Sequence, residues 1–334
     1  MQYRSLGRTG VQVSVACLGT MTFGWDPTDW GSTEEDSNLV LDAALDLGVN
    51  FVDTANVYAR GKSEEILGRA LKDGRRNKIV LATKCHGKMA DDDPNAWGNS
   101  YRHVIDACEA SLQRLQTDWI DLYQIHRPHP DVPIDETLRA LDQLRQAGKI
   151  RYAGASTFAG WQLCEAHYVA KEMGVAGFVT EQPPYNLLDR RIERELLPFC
   201  RTYDYGVIPW SPLAGGMLSG KYLDDSTTGA RYSGSDPMGR LANLPKEKLT
   251  KLKGLSDEYG LSLTELSLAW VATRPGITSP IIGARSVKQL TESIEACQKT
   301  LPEALVTAID EIFLPGCHDV VYYNANFGPN KRPR

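Results

Sequence analysis

Short apolar runs rich in β-branched residues alternate with longer amphipathic stretches along most of the chain. Buried parallel strands are brief and apolar, whereas the helices that cover them are longer and repeat about every 3.6 residues. The alternation is therefore typical of βα units. Eight apolar runs predict strands, at residues 16–19, 50–54, 79–84, 119–126, 150–156, 178–182, 207–211 and 280–283.

Helical periodicity occupies most of the segments between these strands. It predicts helices at residues 34–47, 63–72, 100–115, 134–147, 160–173, 192–203 and 287–299, with a further pair near 246–259 and 264–273. Gly48 and Gly148 are typical helix ends, and Ser32 and Thr33 are N-cap candidates before an acidic first turn. A turn at residues 8–10 suggests a small hairpin before the first of these eight strands.

Eight strands that each return through a helix predict an α/β fold, a single (β/α)8 (TIM) barrel that takes residues 1–334 as one domain. An N-terminal β-hairpin cap, a long loop at residues 212–245 after the seventh strand and a C-terminal tail complete this prediction. The rival is an open doubly wound sheet, which would carry G-x-G-x-x-G after its first strand if it bound a dinucleotide. The segment from Gly19 to Gly24 does not fit that motif, so the barrel is favoured.

Composition narrows the classes of partner. Lys and Arg total 37 against 42 Asp and Glu, a formal charge of −5, so general nucleic-acid binding is not expected. The 7 cysteines are scattered without a C-x-x-C pair, which indicates free thiols in a reducing compartment. No targeting segment and no membrane-spanning apolar run are apparent, so a cytoplasmic location away from membranes is expected. The oligomeric state stays open.

Four ionisable residues lie at, or a few residues after, the ends of successive predicted strands, where the catalytic residues of such barrels lie. They are Asp53, Tyr58, Lys84 and His126. Singly, each has an ordinary structural role open to it. Together they suit protonation of a developing alkoxide, because a buried lysine needs a carboxylate partner and an ammonium beside a tyrosine stabilises its phenolate. A neutral imidazole can donate a hydrogen bond to the same carbonyl oxygen.

The motifs LGVNFVDTANVY, GKSEEILG, LATK and DLYQIHR resemble those of the aldo-keto reductase family, and the resemblance extends over residues 3–301. It implies that Asp53, Tyr58, Lys84 and His126 form the family's catalytic tetrad. It also implies reduction of aldehyde or ketone carbonyls to alcohols, with hydride from a nicotinamide, Tyr58 as the general acid and no metal. The implied partner is a small-molecule carbonyl or alcohol, and the implied substrate contacts are Trp25, Tyr58 and His126.

The same resemblance implies a bound cofactor, with Ser156 and Gln182 on the nicotinamide carboxamide and Trp210 stacked on the ring. Arg285, just before the last predicted helix, suits an adenosine 2′-phosphate and favours NADP(H) over NAD(H). Thr157 and Ser293 stand where many family members have Asn. The full set of implied cofactor contacts is Thr20, Met21, Asp53, Ser156, Thr157, Gln182, Trp210, Ser211, Pro212, Leu213, Gly215, Lys221, Gly283, Arg285, Gln289 and Ser293.

Two other functions stay open on this fold. One is a nucleotide-binding regulatory subunit, since potassium-channel β subunits share the fold and a similar loop around Trp210. The other is a Schiff-base lyase that uses Lys84. A short-chain dehydrogenase pair at Tyr58 and Lys62 is disfavoured, because Gly61 lies where that pair needs a helix. Trp25, Trp30 and Trp97 follow the first and third strands and could line a substrate pocket.

Overall fold

The apolar runs form one parallel sheet of eight strands in a computed structural model that describes residues 1–25, 31–223, 236 and 239–322. An antiparallel hairpin precedes the sheet, formed by β1 (Tyr3–Ser5) and β2 (Gln12–Ser14). The eight parallel strands are β3 (Cys17–Gly19), β4 (Phe51–Asp53), β5 (Val80–Cys85), β6 (Ile120–Ile125), β7 (Ile150–Ser156), β8 (Phe178–Gln182), β9 (Gly206–Val207) and β10 (Ile281–Gly283). The predicted hairpin and the predicted parallel sheet are thus confirmed.

Strands β3 to β9 are adjacent in chain order, and β10 pairs with β3 on the other side. Hydrogen bonds also link the β9 segment to the β10 segment, among them Thr278 N to Val207 O at 2.8 Å and Ile281 N to Pro209 O at 2.9 Å. The sheet therefore curls, and its helices fit the arrangement of a (β/α)8 barrel.

Ten α-helices lie in the part of the chain that the structure describes. They are α1 (Glu34–Asp46), α2 (Lys62–Ala70), α3 (Tyr101–Leu115), α4 (Ile134–Gln146), α5 (Gly160–Met173), α6 (Leu196–Thr202), α7 (Lys246–Glu258), α8 (Leu263–Thr273), α9 (Val287–Cys297) and α10 (Glu303–Ile312). Thr33 caps α1 by accepting from Asp36 N, and Gly48 and Gly148 take positive φ beyond the ends of α1 and α4. Of the predicted end signals, Thr33, Gly48 and Gly148 are therefore confirmed, whereas Ser32 is not the N-cap of α1.

Two separate apolar clusters follow from the alternation of side chains along each strand. The larger one fills the space between the sheet and the helices. The smaller one lies on the opposite face of the strands and includes the hairpin residues Leu6 and Val13 together with Phe51, Ala82 and Leu122. The residues two positions further along those three strands share this face and are polar, namely Asp53, Lys84 and Gln124. A polar layer therefore sits on an apolar one.

Three predicted elements differ from the structure. The seventh strand, predicted at 207–211, is reduced to Gly206–Val207, because Pro209 has no N–H to donate to a ladder and Ser211 has φ 55°. The helix predicted at 192–203 is divided into a 3₁₀ turn at Arg191–Glu193 and α6, which starts close to Pro198 as a proline requires. Helix α10 lies where only a tail was predicted.

The described parts of the long loop at 212–245 include two 3₁₀ turns, Ala214–Ser219 and Leu241–Asn243. After α10, the chain to Tyr322 runs back against the segment that follows β8, with Arg190 N donating to Cys317 O at 2.9 Å and Asp319 N to Leu188 O at 2.8 Å. Within the described ranges, no helix is both long enough and apolar enough to cross a membrane.

Candidate active site

The candidate site lies at the carboxyl edge of the parallel sheet. Strand register brings the strand ends level there, since Gly19 pairs with both Asp53 and Gly283, Lys84 pairs with Gln124, and Ser156 pairs with Gln182. Residues that follow different strands in the sequence therefore meet at one edge, as the arrangement of such barrels requires.

The Lys84 ammonium joins three groups of the site and is fully buried. Its Nζ donates to Asp53 Oδ2 at 2.6 Å, to the Thr54 carbonyl at 2.8 Å and to Tyr58 Oη at 3.0 Å. Burial alone would lower the pKa of Lys84, but the Asp53 carboxylate and the Tyr58 oxygen outweigh burial and raise that pKa above 10.5. The lysine is therefore a fixed cation that stabilises negative charge on the Tyr58 oxygen.

His126 completes the predicted tetrad at the end of β6. Its ring centroid is 5.9 Å from that of Tyr58, with the ring planes at 80°. Burial lowers the pKa of His126 well below 6.5, and the positive charges of Arg127 and Lys84 lower it further. The imidazole is therefore neutral at physiological pH and has one N–H donor. All four predicted catalytic side chains thus lie close together.

The second oxygen of the Asp53 carboxylate is held by two buried amides. Gln124 Nε2 and Gln182 Nε2 each donate to Asp53 Oδ1 at 3.0 Å, and Gln182 Nε2 also donates to Gln124 Oε1 at 3.1 Å. Thr20, a predicted cofactor contact, also reaches the same residue, with its hydroxyl 3.1 Å from the Asp53 carbonyl. Asp53, Lys84, Tyr58 and the predicted carboxamide-binding Gln182 therefore belong to one hydrogen-bonded unit.

The loop after β7 is strained and firmly held. Thr157 has φ 61°, a conformation unfavourable for a β-branched residue. Its N–H donates to Gln182 O at 3.1 Å, and its hydroxyl accepts from Arg127 Nη1 at 2.9 Å. Ser156 Oγ donates to the same Gln182 carbonyl at 2.9 Å. Strain of this kind is kept where the surroundings fix it, often at ligand sites.

Comparison with known proteins places these observations in a family. The family model described as Aldo/keto reductase family matches residues 16–313. The chain belongs to this family. It is similar to an uncharacterized oxidoreductase, YrpG, of Bacillus subtilis (strain 168), with 42% identity over 95% of this chain and 97% of that protein.

Two further relatives carry different names. A probable voltage-gated potassium channel subunit beta of Oryza sativa subsp. japonica is 37% identical over 93% of this chain and 95% of its own length. The versiconal hemiacetal acetate reductase of Aspergillus parasiticus is 32% identical over 94% of this chain and 98% of its own. The resemblance drawn from the sequence motifs is thus confirmed, and the chain is an oxidoreductase of the aldo/keto reductase family.

This aldo/keto reductase also has a strained loop after β9, which holds several of the implied cofactor contacts. Ser211, Ala214, Gly215 and Gly216 all have positive φ. Successive turns of this type expose backbone N–H groups to an anion. An added Cβ at Gly216 would find its nearest atom 3.9 Å away, which leaves space beside the backbone. Pro212 and Leu213 lie within this loop, and Lys221 lies exposed beyond it.

The predicted adenosine side lies where β10 leads into α9. Gly283 faces open space, since an added Cβ would meet no atom within 4 Å. The first turn of α9 has no acidic residue and follows Arg285, whose N–H donates to Gln289 Oε1 at 3.1 Å. A helix start of this kind suits a phosphate. Ser293 lies further along α9 and is buried.

The predicted substrate side is formed by loops. Trp25 is 40% exposed and follows Met21 on the loop after β3. Trp97 packs against His129, with ring centroids 4.8 Å apart, on the loop after β5. Trp30 lies outside the described residues. In the described ranges, no group of three or more His, Cys, Asp or Glu side chains is arranged to hold a metal ion.

Sequence reasoning missed three residues that contact this site. Gln124 and Arg127 lie inside the motif DLYQIHR but were not singled out. Tyr322 is buried, with its ring 6.1 Å from the Trp210 ring and at 62° to it. Arg127 Cζ lies 5.8 Å from the same Trp210 ring centroid. Only the position of Gln124, two residues before a strand-end histidine on the same strand, could have indicated its role.

Proposed function

We propose that this aldo/keto reductase is an NADPH-dependent reductase that converts aldehyde or ketone carbonyls to alcohols, with Tyr58 as the general acid. The observation that carries the proposal is the Lys84 ammonium, which bonds to both Asp53 Oδ2 and Tyr58 Oη in a buried setting. This arrangement suits a phenol that must give up a proton, because the charge it leaves is already compensated.

In this mechanism each side chain has a separate task. When bound, NADPH supplies the hydride to the carbonyl carbon. Tyr58 gives its proton to the carbonyl oxygen, and Lys84 stabilises the phenolate that remains. Asp53 holds Lys84 charged and in place, and the neutral His126 donates a hydrogen bond that orients the carbonyl oxygen. The pair Ser156 and Gln182 would hold the nicotinamide carboxamide beside this group.

Two features fit the phosphate groups of NADPH, and only the second of them distinguishes NADPH from NADH. The left-handed turns from Ser211 to Gly216 suit a pyrophosphate. Arg285 beside the start of α9 suits a 2′-phosphate, since a guanidinium binds phosphate oxygens in pairs. We also infer that the sheet closes into one (β/α)8 barrel spanning the chain as a single domain, supported by the hydrogen bonds from Thr278 and Ile281 to the β9 segment.

The Schiff-base alternative is disfavoured by the state of Lys84. A lysine that attacks a carbonyl must first be a free amine with its lone pair exposed. All three donors of the Lys84 ammonium are engaged, and its pKa is raised because Asp53 and Tyr58 outweigh the effect of burial. The proposed reductase mechanism instead uses the positive charge of Lys84 to stabilise the Tyr58 phenolate.

The test measures NADPH oxidation by the purified protein over a panel of aldehydes and ketones. Tyr58→Phe deletes the acid with little change of volume and is expected to lower kcat by about 100-fold or more while NADPH still binds. Tyr101→Phe, at an exposed tyrosine on α3, is the matched control and keeps the parent rate. A Tyr58→Phe variant with the parent rate, or a parent protein that does not bind NADPH, would refute the proposal.

A further inference from the structure

Gln124 is the least obvious member of the polar layer. It is fully buried on β6, two residues after the interior Leu122. Room for it is made by Gly154 on the neighbouring strand β7, where an added Cβ would lie 3.0 Å from Gln124 Cγ and 2.4 Å from Thr180 Oγ1. The barrel interior is therefore shaped around an amide at this position.

The hydrogen bonds fix which way the two amides point. A carboxylate only accepts, so both amides must turn their nitrogen toward Asp53 Oδ1. Gln182 Nε2 has two protons, and its second partner is Gln124 Oε1 at 3.1 Å. Both protons of Gln182 are thus used inside the barrel. Only its Oε1, an acceptor, is left for a ligand.

The neighbouring Ser156 is restricted in the same sense. Its hydroxyl proton goes to the Gln182 carbonyl at 2.9 Å and its oxygen accepts from Arg127 Nη1 at 3.4 Å, so Ser156 can offer a ligand only an acceptor lone pair. The two side chains that the motifs place on the nicotinamide carboxamide therefore both offer oxygens. Such a pair selects a ligand group that donates hydrogen bonds from N–H, as the NH2 group of a carboxamide does.

We propose that Gln124 is a positioning residue that locks the amide of Gln182, so that Gln182 Oε1 faces the cofactor and requires an N–H donor there. The inference rests on the proposed nicotinamide cofactor. Without Gln124, the Gln182 amide keeps only its bond to Asp53 Oδ1, and its second proton, no longer held by Gln124 Oε1, can be offered to the ligand. Gln124 then sets the preference for a carboxamide over a group without an N–H donor, although Gln124 itself does not contact the cofactor.

The experiment compares two nucleotides by calorimetric titration in the absence of substrate. One is NADP⁺, and the other is its 3-acetylpyridine analogue, in which a methyl ketone replaces the carboxamide and removes the N–H donor. The parent protein is expected to bind the analogue about 10-fold more weakly, because two acceptor oxygens lose their partner. In Gln124→Met this ratio should fall to about 3-fold or less, because the freed Gln182 amide can donate to the ketone oxygen.

The control is Asn50→Leu, which removes another amide with both ends bonded, at the opposite end of the barrel. It should keep the parent ratio. Thermal unfolding of the unliganded proteins checks folding, and Gln124→Leu replaces Gln124→Met if the latter does not fold. A ratio that stays at the parent value in the Gln124 variants, or a parent that does not discriminate, overturns the inference alone. A parent that binds neither nucleotide overturns the proposed function as well.

Discussion

Glu181 provides a direct test of the electrostatics behind the site. It is a fully buried carboxyl group on β8, next to Gln182. Oε1 accepts from Phe158 N at 3.0 Å, whereas the buried Oε2 has no hydrogen-bond partner among the described residues. Burial raises the pKa of Glu181 from 4.5 to about 8, and its backbone hydrogen bonds and Arg127 only partly oppose the rise. At neutral pH the folded protein therefore keeps this carboxyl protonated.

The sign of the pH effect follows from the direction of this shift. A carboxyl whose pKa is raised on folding contributes its full stability below the unfolded value of 4.5 and loses it as pH rises through about 8. Glu181→Gln keeps the shape and an acceptor oxygen but cannot ionise. The variant should therefore gain stability relative to the parent by about 1.4 kcal/mol per pH unit across this window, and by at most about 5 kcal/mol above it.

Urea unfolding at pH 5, 6.5 and 8 measures this difference directly. We expect the parent and Glu181→Gln to be similar at pH 5 and the variant to be clearly more stable at pH 8. Glu165→Gln, at an exposed glutamate on α5, is the matched control and should show no such trend. A free-energy difference between the parent and Glu181→Gln that does not change with pH would refute the reasoning.

Two further predictions concern the neighbours of the site. Lys84→Met leaves the Asp53 carboxylate buried without its cation and should lower the free energy of unfolding in urea by about 3–5 kcal/mol. Adding Asp53→Asn should recover part of that loss. Fully additive effects of the two substitutions would contradict the pairing. Tyr322→Ala removes the ring behind Trp210 and should lower the free energy of unfolding by about 3 kcal/mol and weaken NADPH binding several-fold in calorimetry. Tyr322→Phe should preserve both, and an alanine variant with the parent affinity would exclude a supporting role.

Much of the fold was predictable because its strands have strong local signals. The run at residues 150–156 forms β7 with the predicted bounds, and its last four residues are all buried, as expected of a strand covered on both faces. The failures have local causes as well. Pro209 ends a strand that its apolar neighbours seemed to continue, since apolar pattern and hydrogen-bonding capacity are separate properties. Helix α10 follows Pro302 with apolar Leu305 and Ile309 at helical spacing, a signal that was present but not used.

The tetrad could be predicted for a different reason. Asp53, Lys84 and His126 lie at or next to the ends of their strands, so the strand prediction alone brings them to one edge, and Tyr58 is reached by a short turn. Tyr322 could not be placed in this way. Its position beside Trp210 depends on the return of the chain after α10, which the hydrogen bonds to Leu188 and Arg190 establish and which no local pattern encodes.

Gln124 shows why the chemistry of the site depends on the layer beneath it. The apolar residues Phe51, Ala82 and Leu122 exclude water from below the polar layer, so Asp53 must find all its donors within the barrel. One cation and two amides meet that demand, and the amides can do so in only one orientation. A substitution in the apolar layer that admitted water would give Asp53 other donors and release Gln182. The cofactor selectivity proposed for Gln182 is therefore a property of the dry interior as much as of the residue that meets the ligand.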